Sequence, residues 1–502
     1  MARRGIIKSI LSVSGIVALA KILGFVKQTL TANAFGATIQ TDMISLSQGL
    51  VQDLDYLIVQ ALITAFVPVY LHVRAEDPKI VNNFVSNTIF LFSLLTFVIS
   101  LLIFILSGPI ASILAPSYTE ILNKELSNYI RIVCPVLVPI VLIAIISALL
   151  KANEIFIPGE LVHVNQSVIY IVLILLIGKS FGPNTIVVAL YAYALFDLVY
   201  IFICGRKKLG GHVSKPFQDE NVRELIMMMG PLIVGYAMLF VNQQIDKIIV
   251  SGLDEGTVTA MSYAAVLSTF ITSFVASICN VLFTYVTKEI TEGNNAEAAT
   301  LISNSVIQIS TLMIPVSVIA VVNSADIVTI VFGHGRFDTS AITNCSFALA
   351  GYSVMFVPFV FRELFSRFQY GYGNSKQPMV NSIISIICNI ILSIVLSRPL
   401  GVLGVTLASS ISVIICAVLN MRTSYKENHY IRFRYLFKHT PAWAIEFVIC
   451  ILVSMAGRRY LADQSALLRF FIILTISFLL HFVVSYPVTK PLLNRVRHKK
   501  SI

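Results

Sequence analysis

The sequence predicts an all-α polytopic membrane protein of about 14 transmembrane helices, arranged as two parallel-repeat six-helix bundles plus two extra C-terminal helices. Three observations predict this class. Of the 502 residues, 57% are hydrophobic and 12% are charged, about half the charged share of a soluble domain. Apolar stretches near 20 residues follow one another, with a mean hydropathy of +0.86. Short strings also recur at a nearly constant offset.

Apolar stretches long enough to cross a bilayer make up most of the chain. A transmembrane helix needs about 20 residues to cross roughly 30 Å of hydrocarbon. Fourteen stretches meet this length, near 8–30, 44–72, 84–108, 128–151, 160–178, 184–205, 225–251, 259–287, 300–323, 340–368, 378–397, 401–421, 439–457 and 466–487. They leave little room for a soluble catalytic domain. The seven cysteines form no metal motif or disulfide framework.

Three pairs of short segments indicate an internal duplication. Their offsets are 215, 216 and 219 residues, and the pairs are Phe25–Gln28 with Phe240–Gln243, Val164-Asn165 with Val380-Asn381, and Lys179–Gly182 with Arg398–Gly401. Because each bundle holds an even number of spans, both bundles begin on the same side of the membrane, as in a parallel repeat. We therefore predict bundles at 1–215 and 216–425, while 426–502 contains spans 13 and 14 and a basic tail.

The positive charge is concentrated in connections on one side of the predicted spans. The chain has 36 Lys and Arg against 25 Asp and Glu, a net charge of +11. Basic clusters precede span 1 and follow spans 6, 12 and 14, whereas the alternate connections contain few Lys or Arg. The positive-inside rule therefore predicts that both termini are cytoplasmic. Charge spread over connections rather than over one folded face argues against nucleic-acid binding.

Polar side chains at bilayer depth cluster in a few predicted spans, chiefly spans 1, 2 and 7. An ionisable residue there costs about 2.5–3.5 kcal/mol, so each must face protein or water. They are Lys21, Lys27 and Gln28 in span 1, Gln52, Asp53 and Asp55 in span 2, and Asn242, Gln243, Asp246 and Lys247 in span 7. Gln28 and Gln243 occupy equivalent places in the repeat, so the pattern predicts a polar lining on both sides of a central cleft.

Some of these residues also fit a purely structural role. Asp246 and Lys247 equally suit pairing with other helices. Lys21 and Lys27 have no acidic residue one turn away in span 1, which favours a cavity role. In span 10, Glu363 precedes Arg367 by four residues, the favourable order for a structural ion pair.

Motifs of catalysis and nucleotide binding are absent from the sequence. It contains no nucleophile elbow, HExxH or Walker loop. The sequence therefore predicts a transporter rather than an enzyme, with no cofactor and no metal, driven by the membrane potential or an ion gradient. Asp53, Asp55 and Asp246 are candidates for binding a coupling cation.

Eight short strings of the chain also occur in one known protein family: Lys21–Lys27, Ala34–Ala37, Thr41-Asp42, Ala65–Pro68, Val331–Phe337, Leu364–Arg367, Tyr370–Pro378 and Pro399–Gly404. They resemble the MurJ (MviN) family, the flippases of the lipid-linked peptidoglycan precursor. The resemblance implies a V-shaped pair of bundles around a cationic cavity, with spans 13 and 14 forming a groove for the polyprenyl tail. It assigns cavity basic residues to Lys21 and Lys27, where the family usually has arginine, and an acidic residue to Asp42.

Two segments depart from the family pattern. The family has an arginine-rich end to its span 2 motif followed by Glu-Gly, where this chain has Asp53-Leu-Asp55 and Val59-Gln60. Val266 stands where the family has an arginine in span 8. Lysine also offers phosphate oxygens a point charge, whereas arginine offers a planar fork.

The resemblance implies a flippase that moves an undecaprenyl-pyrophosphate-linked glycan precursor from the inner to the outer leaflet by alternating access. Lipid II of peptidoglycan is the first expectation, with substrate contacts at Lys21, Lys27, Gln28 and Asp42. The alternatives are a flippase of another lipid-linked envelope polysaccharide unit and a multidrug/cation antiporter of the same multidrug/oligosaccharidyl-lipid/polysaccharide (MOP) superfamily. We further expect a monomer in the bacterial cytoplasmic membrane, with the lipid-linked glycan and membrane lipids as partners and no nucleic acid.

Overall fold

The computed structural model describes residues 2–77, 80–431, 433–438 and 440–499, and this part of the chain is helical, without strands. The all-α fold class is therefore confirmed. The helices are α1 (Ala2–Phe35), α2 (Ile39–Glu76), α3 (Val81–Ile105), α4 (Ser107–Leu114), α5 (Glu120–Val133), α6 (Leu137–Ala152), α7 (Ile157–Phe181), α8 (Thr185–Gly205), α9 (Glu220–Ser251), α10 (Thr257–Thr291), α11 (Asn295–Val322), α12 (Ser324–Phe332), α13 (Thr339–Ser353), α14 (Phe356–Gly371), α15 (Lys376–Leu400), α16 (Val402–Glu427), α17 (Phe433–Phe437), α18 (Thr440–Tyr460) and α19 (Ala466–Lys499).

The long apolar helices make this a multi-pass membrane protein. Twelve helical segments of the described chain are long and apolar enough to cross a membrane, and thirteen are if α13 and α14, bent by 42°, form one span. One of the twelve, 157–208, contains both α7 and α8, which pack against each other. Each of these two helices exceeds 20 residues. The count of fourteen spans stays a prediction.

The chain forms two compact units. The first unit comprises Met1–Thr259 and Gly335–Phe337, and the second unit comprises Ala260–His334 and Asp338–Ile502. Helix α9, predicted to open the second bundle, belongs to the first unit because it packs along α2. The boundary between the two compact units therefore lies at a different residue from the boundary of the predicted repeat. The predicted bundles at 1–215 and 216–425 stay a prediction about the duplication.

Helix α2 is central to the first unit, where it packs against α5, α6 and α9. A capping box begins it: the Thr41 N–H donates to the Thr38 hydroxyl, and the Thr38 N–H donates to the Thr41 hydroxyl. Further along, Phe66 stacks on Phe84 of α3 with ring centroids 5.7 Å apart. Aromatic packing and the cap fix the position of the polar middle of this helix.

In the second unit, the protein-facing side of α15 is polar. The buried positions after Pro378 recur every four residues, and they are Asn381, Ser385, Asn389, Ser393 and Ser397. Asn381 donates to the side-chain oxygen of Asn420 on α16 at 2.7 Å, and Ser385 donates to a backbone carbonyl of α16 at 2.6 Å. Small polar side chains let two membrane helices approach closely and hydrogen-bond across the contact. The apolar residues of α15 are left on its outer side.

Buried polar contacts join helices α18 and α19 to each other and to the rest of the second unit. Asn323 donates to the Ser454 hydroxyl of α18 at 3.0 Å. Arg469 of α19 pairs with Asp326 of α12, and Glu446 of α18 contacts His481 of α19. Asp326 and Glu446 are 3% and 2% exposed, so both carboxylates depend on these partners.

Candidate functional site

Lys27 is a lysine of α1 that lies on an aromatic ring. Its ammonium sits 4.8 Å from the ring centroid of Tyr170 on α7, a cation–π contact worth about 0.5–2 kcal/mol. The Tyr170 hydroxyl accepts from Gln48 at 3.3 Å, which fixes the ring. Within the described part of the chain, none of the ion pairs includes Lys27. Its positive charge is therefore available to an anion.

Lys21 and Gln28 are placed differently on the same helix. Lys21 lies six residues before Lys27, about 9 Å along the helix axis and about 120° around it. Its side chain is exposed, whereas Gln28 is half-buried. The structure therefore separates the two predicted cavity lysines on α1 and does not bring them onto one face.

Asp53 of α2 and Lys247 of α9 form an ion pair inside the first unit. The Lys247 ammonium lies 2.5 Å from one carboxylate oxygen of Asp53, and Gln244 donates to the same oxygen at 2.5 Å. The two charged side chains are only 14% and 15% exposed. Gly49 makes room for the pair, because a Cβ atom there would lie 2.5 Å from the Lys247 ammonium.

The pair changes the charge that these two helices present. Asp53 and Lys247 were each predicted as polar cavity or cation-binding residues, and the structure joins them to each other. Each neutralises the other, so neither presents a net charge to a ligand. The sequence gives no signal of this pair, because 194 residues separate the partners. Their predicted part in the cavity stays a prediction.

Asp42 is buried at the start of α2, and its carboxylate caps the N-terminus of α10. Its two carboxylate oxygens accept from the backbone N–H groups of Gly256 and Thr259, each at 2.8 Å. These groups are at the N-terminus of α10, where unpaired N–H groups and the helix dipole favour an anion. Gly256 has φ +81°, and a Cβ atom there would lie 2.4 Å from the Ala37 carbonyl oxygen. The predicted substrate contact at Asp42 stays a prediction.

The other predicted polar residues of α2 and α9 differ in burial. Gln52 and Gln243 are exposed, and Asn242 is half-buried. Asp246 is 8% exposed. The Oδ1 atom of Asp55 is buried and has no hydrogen-bond partner among the described residues. Among these five residues, only Asp55 has a buried carboxylate oxygen without a hydrogen-bond partner in the described part of the chain.

Sequence reasoning missed one further buried carboxylate in the first unit. Asp197 of α8 is 0% exposed and accepts from the amide of Asn165 on α7 at 2.9 Å. Its other oxygen has no partner among the described residues. An aspartate in the middle of predicted span 6 was the signal that could have identified it, because an ionisable residue in an apolar span indicates function by default.

In the second unit, Glu363 and Arg367 of α14 belong to a larger cluster. Arg367 Nη2 lies 3.0 Å from Glu363, and Arg362 contacts the other oxygen of the same carboxylate at 2.8 Å. Arg367 also contacts the side-chain oxygen of Asn280 on α10. Arg362, which sequence reasoning missed, lies 4.6 Å from the ring centroid of Phe359. Two guanidinium groups share one carboxylate, which leaves a net positive charge.

Most of the chain matches one known family. The family model described as "Lipid II flippase MurJ" matches residues 31–480. The chain belongs to this family. The resemblance predicted from the sequence is confirmed, and so is the prediction of a transporter rather than an enzyme.

Curated relatives are similar to the chain over most of its length. Proteins named "Probable lipid II flippase MurJ" include one from Rickettsia prowazekii (strain Madrid E), 25% identical over 405 residues, which are 78% of this chain and 79% of the relative. Another, from Treponema pallidum (strain Nichols), is 23% identical over 431 residues, 82% of this chain and 80% of the relative.

The solved structures show the fold at low sequence identity. "Lipid II flippase MurJ, inward closed conformation" aligns with TM-score 0.80 and 19% identity over 96% of this chain and 100% of that chain. An inward-facing multidrug resistance MATE family transporter of the MOP superfamily aligns with TM-score 0.63 and 15% identity, over 82% of this chain and 94% of that chain.

Proposed function

We propose that the protein is a flippase that moves lipid II from the inner to the outer leaflet of the bacterial cytoplasmic membrane by alternating access. The family match over residues 31–480 carries this proposal. A head group of sugars and diphosphate cannot cross bare hydrocarbon, because burying unpaired polar and charged groups is prohibitive. The protein supplies a polar route for the head group while the prenyl chain stays in apolar surroundings.

Lys27 is the residue we propose to bind the pyrophosphate. It carries a positive charge at membrane depth, and no ion pair of the described residues neutralises that charge. Its contact with Tyr170 holds the ammonium in place without adding a negative charge. Lys21 offers a second positive charge on an exposed side of the same helix. Gln28 and Asp42 complete the predicted contacts.

An apolar cavity in the second unit suits the prenyl chain. It has a volume of about 410 Å³ and lies between α11, α14 and α18. Val318, Val357 and Phe447 are among its lining residues, and Ser317 contributes the hydroxyl group of the lining. Such a surface holds a hydrocarbon chain without an unpaired polar group. We propose that the tail rests here while the head group moves.

The remaining expectations about the molecule are part of the same proposal. The basic connections support cytoplasmic termini. We propose transport as a monomer with membrane lipids around the protein, and no nucleic-acid partner, because the basic residues are spread over the connections. The membrane potential supplies about 2.3 kcal/mol per charge at 100 mV, or an ion gradient drives transport. Asp55 and Asp246 stay candidates for cation binding, whereas Asp53, proposed with them, would first have to release Lys247.

A second candidate substrate is another lipid-linked envelope polysaccharide unit. The observation that favours it is the reduced positive charge of the first unit, where Asp53 neutralises Lys247 and Asp53-Leu-Asp55 replaces an arginine-rich segment. A less positive route suits a head group with fewer negative charges than the peptidoglycan precursor. A multidrug antiporter has support from the shared fold and from the acids Asp53, Asp55 and Asp246, but not from Lys21 and Lys27.

Depletion of the native flippase in a bacterium tests the substrate. Expression of this chain is expected to restore growth and the outward exposure of labelled lipid II. Failure at normal expression would refute lipid II as the substrate and leave the polysaccharide alternative standing. Restored polysaccharide export, in a strain that lacks its own polysaccharide flippase, would establish that alternative instead.

Substitution of Lys27 tests the binding residue. Lys27→Ala is expected to abolish transport while the protein remains folded, and Lys27→Arg is expected to retain it. Lys124→Ala is the matched control, because Lys124 is an exposed lysine of the same unit. Persistent transport by the Lys27→Ala protein would contradict the assignment.

A further inference from the structure

An open groove lies between α3 and α9 in the first unit. It has a volume of about 810 Å³, within the range of about 300–1,000 Å³ that ligand pockets occupy. Apolar side chains line most of its length, among them Leu94 and Leu95 of α3 and Ile226 and Met227 of α9. All four are more than one-third exposed, so the groove is open to molecules outside the protein.

The groove has one charged end, at the first turn of α9. Asp219 and Arg223 are its charged lining residues. The Asp219 carboxylate already accepts from the Asn87 amide at 2.7 Å and from the backbone N–H of Asn221 at 3.0 Å. Arg223 is exposed and takes part in none of the ion pairs of the described residues. A guanidinium group therefore lies at the end of an apolar groove and can receive an anion.

A buried asparagine of α3 holds the turn that closes this end. Asn87 is 1% exposed, and its amide donates both to the Ser214 carbonyl at 3.0 Å and to Asp219 at 2.7 Å. The Ser214 N–H donates back to the Asn87 side-chain oxygen at 2.9 Å. Between these contacts, Lys215 has φ +46°, a left-handed conformation that a lysine rarely adopts. The turn is therefore fixed against α3, and it presents Phe217, 77% exposed, at the mouth of the groove.

The segment that contains this turn has an excess of positive charge. Residues 206–224 include five Lys or Arg and three Asp or Glu. Two of the three acids have partners, because Asp219 caps α9 and Glu224 lies 3.9 Å from His72. Basic segments at a membrane surface attract anionic lipids. The charge around the groove thus favours a negatively charged occupant.

The length of the groove matches one leaflet of a bilayer. Its lining on α9 continues from Arg223 to Ile233, and ten residues of helix rise about 15 Å. This distance is half of the roughly 30 Å of hydrocarbon in a membrane. A lipid with its head group at Arg223 fits that length, whereas a transmembrane helix of a partner would need a groove about twice as long.

We propose that the groove binds one anionic phospholipid of the phosphatidylglycerol class. An acyl chain lies between α3 and α9, and the phosphate accepts from Arg223, whose planar guanidinium suits two phosphate oxygens at once. Phe217 lies at the level of the head groups, where aromatic side chains are favoured. The lipid fills the space between two helices that pack chiefly elsewhere, α3 on α6 and α9 on α2. This site does not rest on the proposed transport function.

Native mass spectrometry of the full-length protein in detergent tests the head-group contact. The protein is titrated with dioleoyl phosphatidylglycerol or with dioleoyl phosphatidylcholine, and the bound fraction gives each affinity. We expect phosphatidylglycerol to bind more tightly, and Arg223→Gln to weaken its binding about tenfold, because a charge-assisted hydrogen bond is lost. Arg206→Gln is the matched control, since Arg206 is an exposed arginine outside the groove lining. Lys27→Ala is expected to leave this affinity unchanged, which separates the site from the proposed pyrophosphate contact.

A second pair of variants tests the apolar part of the groove. Leu95→Trp fills the groove and is expected to weaken phosphatidylglycerol binding, whereas Phe97→Trp is not, because Phe97 is exposed on the same helix but outside the lining. Met227→Trp repeats the block from α9 if the Leu95 variant fails to fold. Equal binding of the two lipids would overturn the proposal, and so would wild-type affinity in Arg223→Gln or in the groove-filling variants. Dimers of the wild type that Leu95→Trp abolishes would instead assign the groove to a second copy of the chain.

Discussion

The ion pair between Asp53 and Lys247 gives the most direct test of how the first unit is held together. Lys247→Met removes the ammonium and leaves the Asp53 carboxylate, 14% exposed, with Gln244 as its remaining donor. Removing one partner of a buried pair costs about 3–5 kcal/mol, because the other charge is left uncompensated. Since Gln244 still donates, we expect a loss of about 3 kcal/mol in the free energy of unfolding.

The measurement is a double-mutant cycle followed by equilibrium unfolding in mixed detergent. Asp53→Asn combined with Lys247→Met is expected to recover most of the loss, with a coupling energy of about 1–3 kcal/mol. Lys288 and Glu292 are the matched control, an i, i+4 pair with side chains 67% and 51% exposed. Breaking that exposed pair should cost about 0.3–0.5 kcal/mol. The reasoning is refuted if Lys247→Met costs no more than Lys288→Met, or if the double variant shows no coupling.

Three further substitutions test close packing and capping. Gly49→Leu is expected to displace the Lys247 ammonium and to lower the free energy of unfolding about as much as Lys247→Met does. The variant that carries both changes should be no less stable than Lys247→Met alone. Asp42→Ala is expected to cost about 0.5–2 kcal/mol and to speed amide hydrogen exchange at the start of α10, where two N–H groups lose their acceptor. Ser393→Leu is expected to cost about 1–3 kcal/mol by overpacking α15 against α16, whereas Ile394→Leu on the exposed side should change unfolding little.

The sequence predicted the helical membrane class and the family because both depend on local signals. Apolar runs near 20 residues are visible without knowledge of the fold. The family strings are likewise contiguous, as in Lys21–Lys27. The predicted span at 340–368 shows the limit of this reasoning, because the structure bends it by 42° between α13 and α14.

The partners of polar residues could not be predicted, because sequence periodicity reports only neighbours in one helix. Lys247 and Asp53 lie in different helices, and Asp42 meets backbone groups of Gly256 and Thr259 more than 200 residues away. A helical wheel of α2 shows that Asp53 and Asp55 point in different directions, but not which one meets a lysine. That choice depends on the packing of α9.

Hydrophobic periodicity also fails on α15, for a physical reason. In a soluble helix the apolar side is buried, and a reader of the sequence would bury the isoleucines. In this helix Ile387, Ile391 and Ile394 are 47%, 56% and 48% exposed, while Asn389 and Ser393 are buried. Lipid is as apolar as an isoleucine side chain, so burial against protein brings apolar residues no advantage and hydrogen bonds decide which side packs.

Charge neutralisation decides which basic residues of the spans can attract an anionic head group. In the first unit, Asp53 neutralises the charge of Lys247, whereas Lys27 takes part in no ion pair of the described residues. In the second unit, Arg362 and Arg367 share the single carboxylate of Glu363, so one positive charge is left over. Each unit therefore keeps a positive charge at membrane depth, but for different reasons: one lysine has only an aromatic partner, and two arginines have one acid between them. Lys27→Gln would therefore remove the unpaired charge of the first unit, whereas Arg362→Gln would leave the second unit with a neutral pair of Arg367 and Glu363.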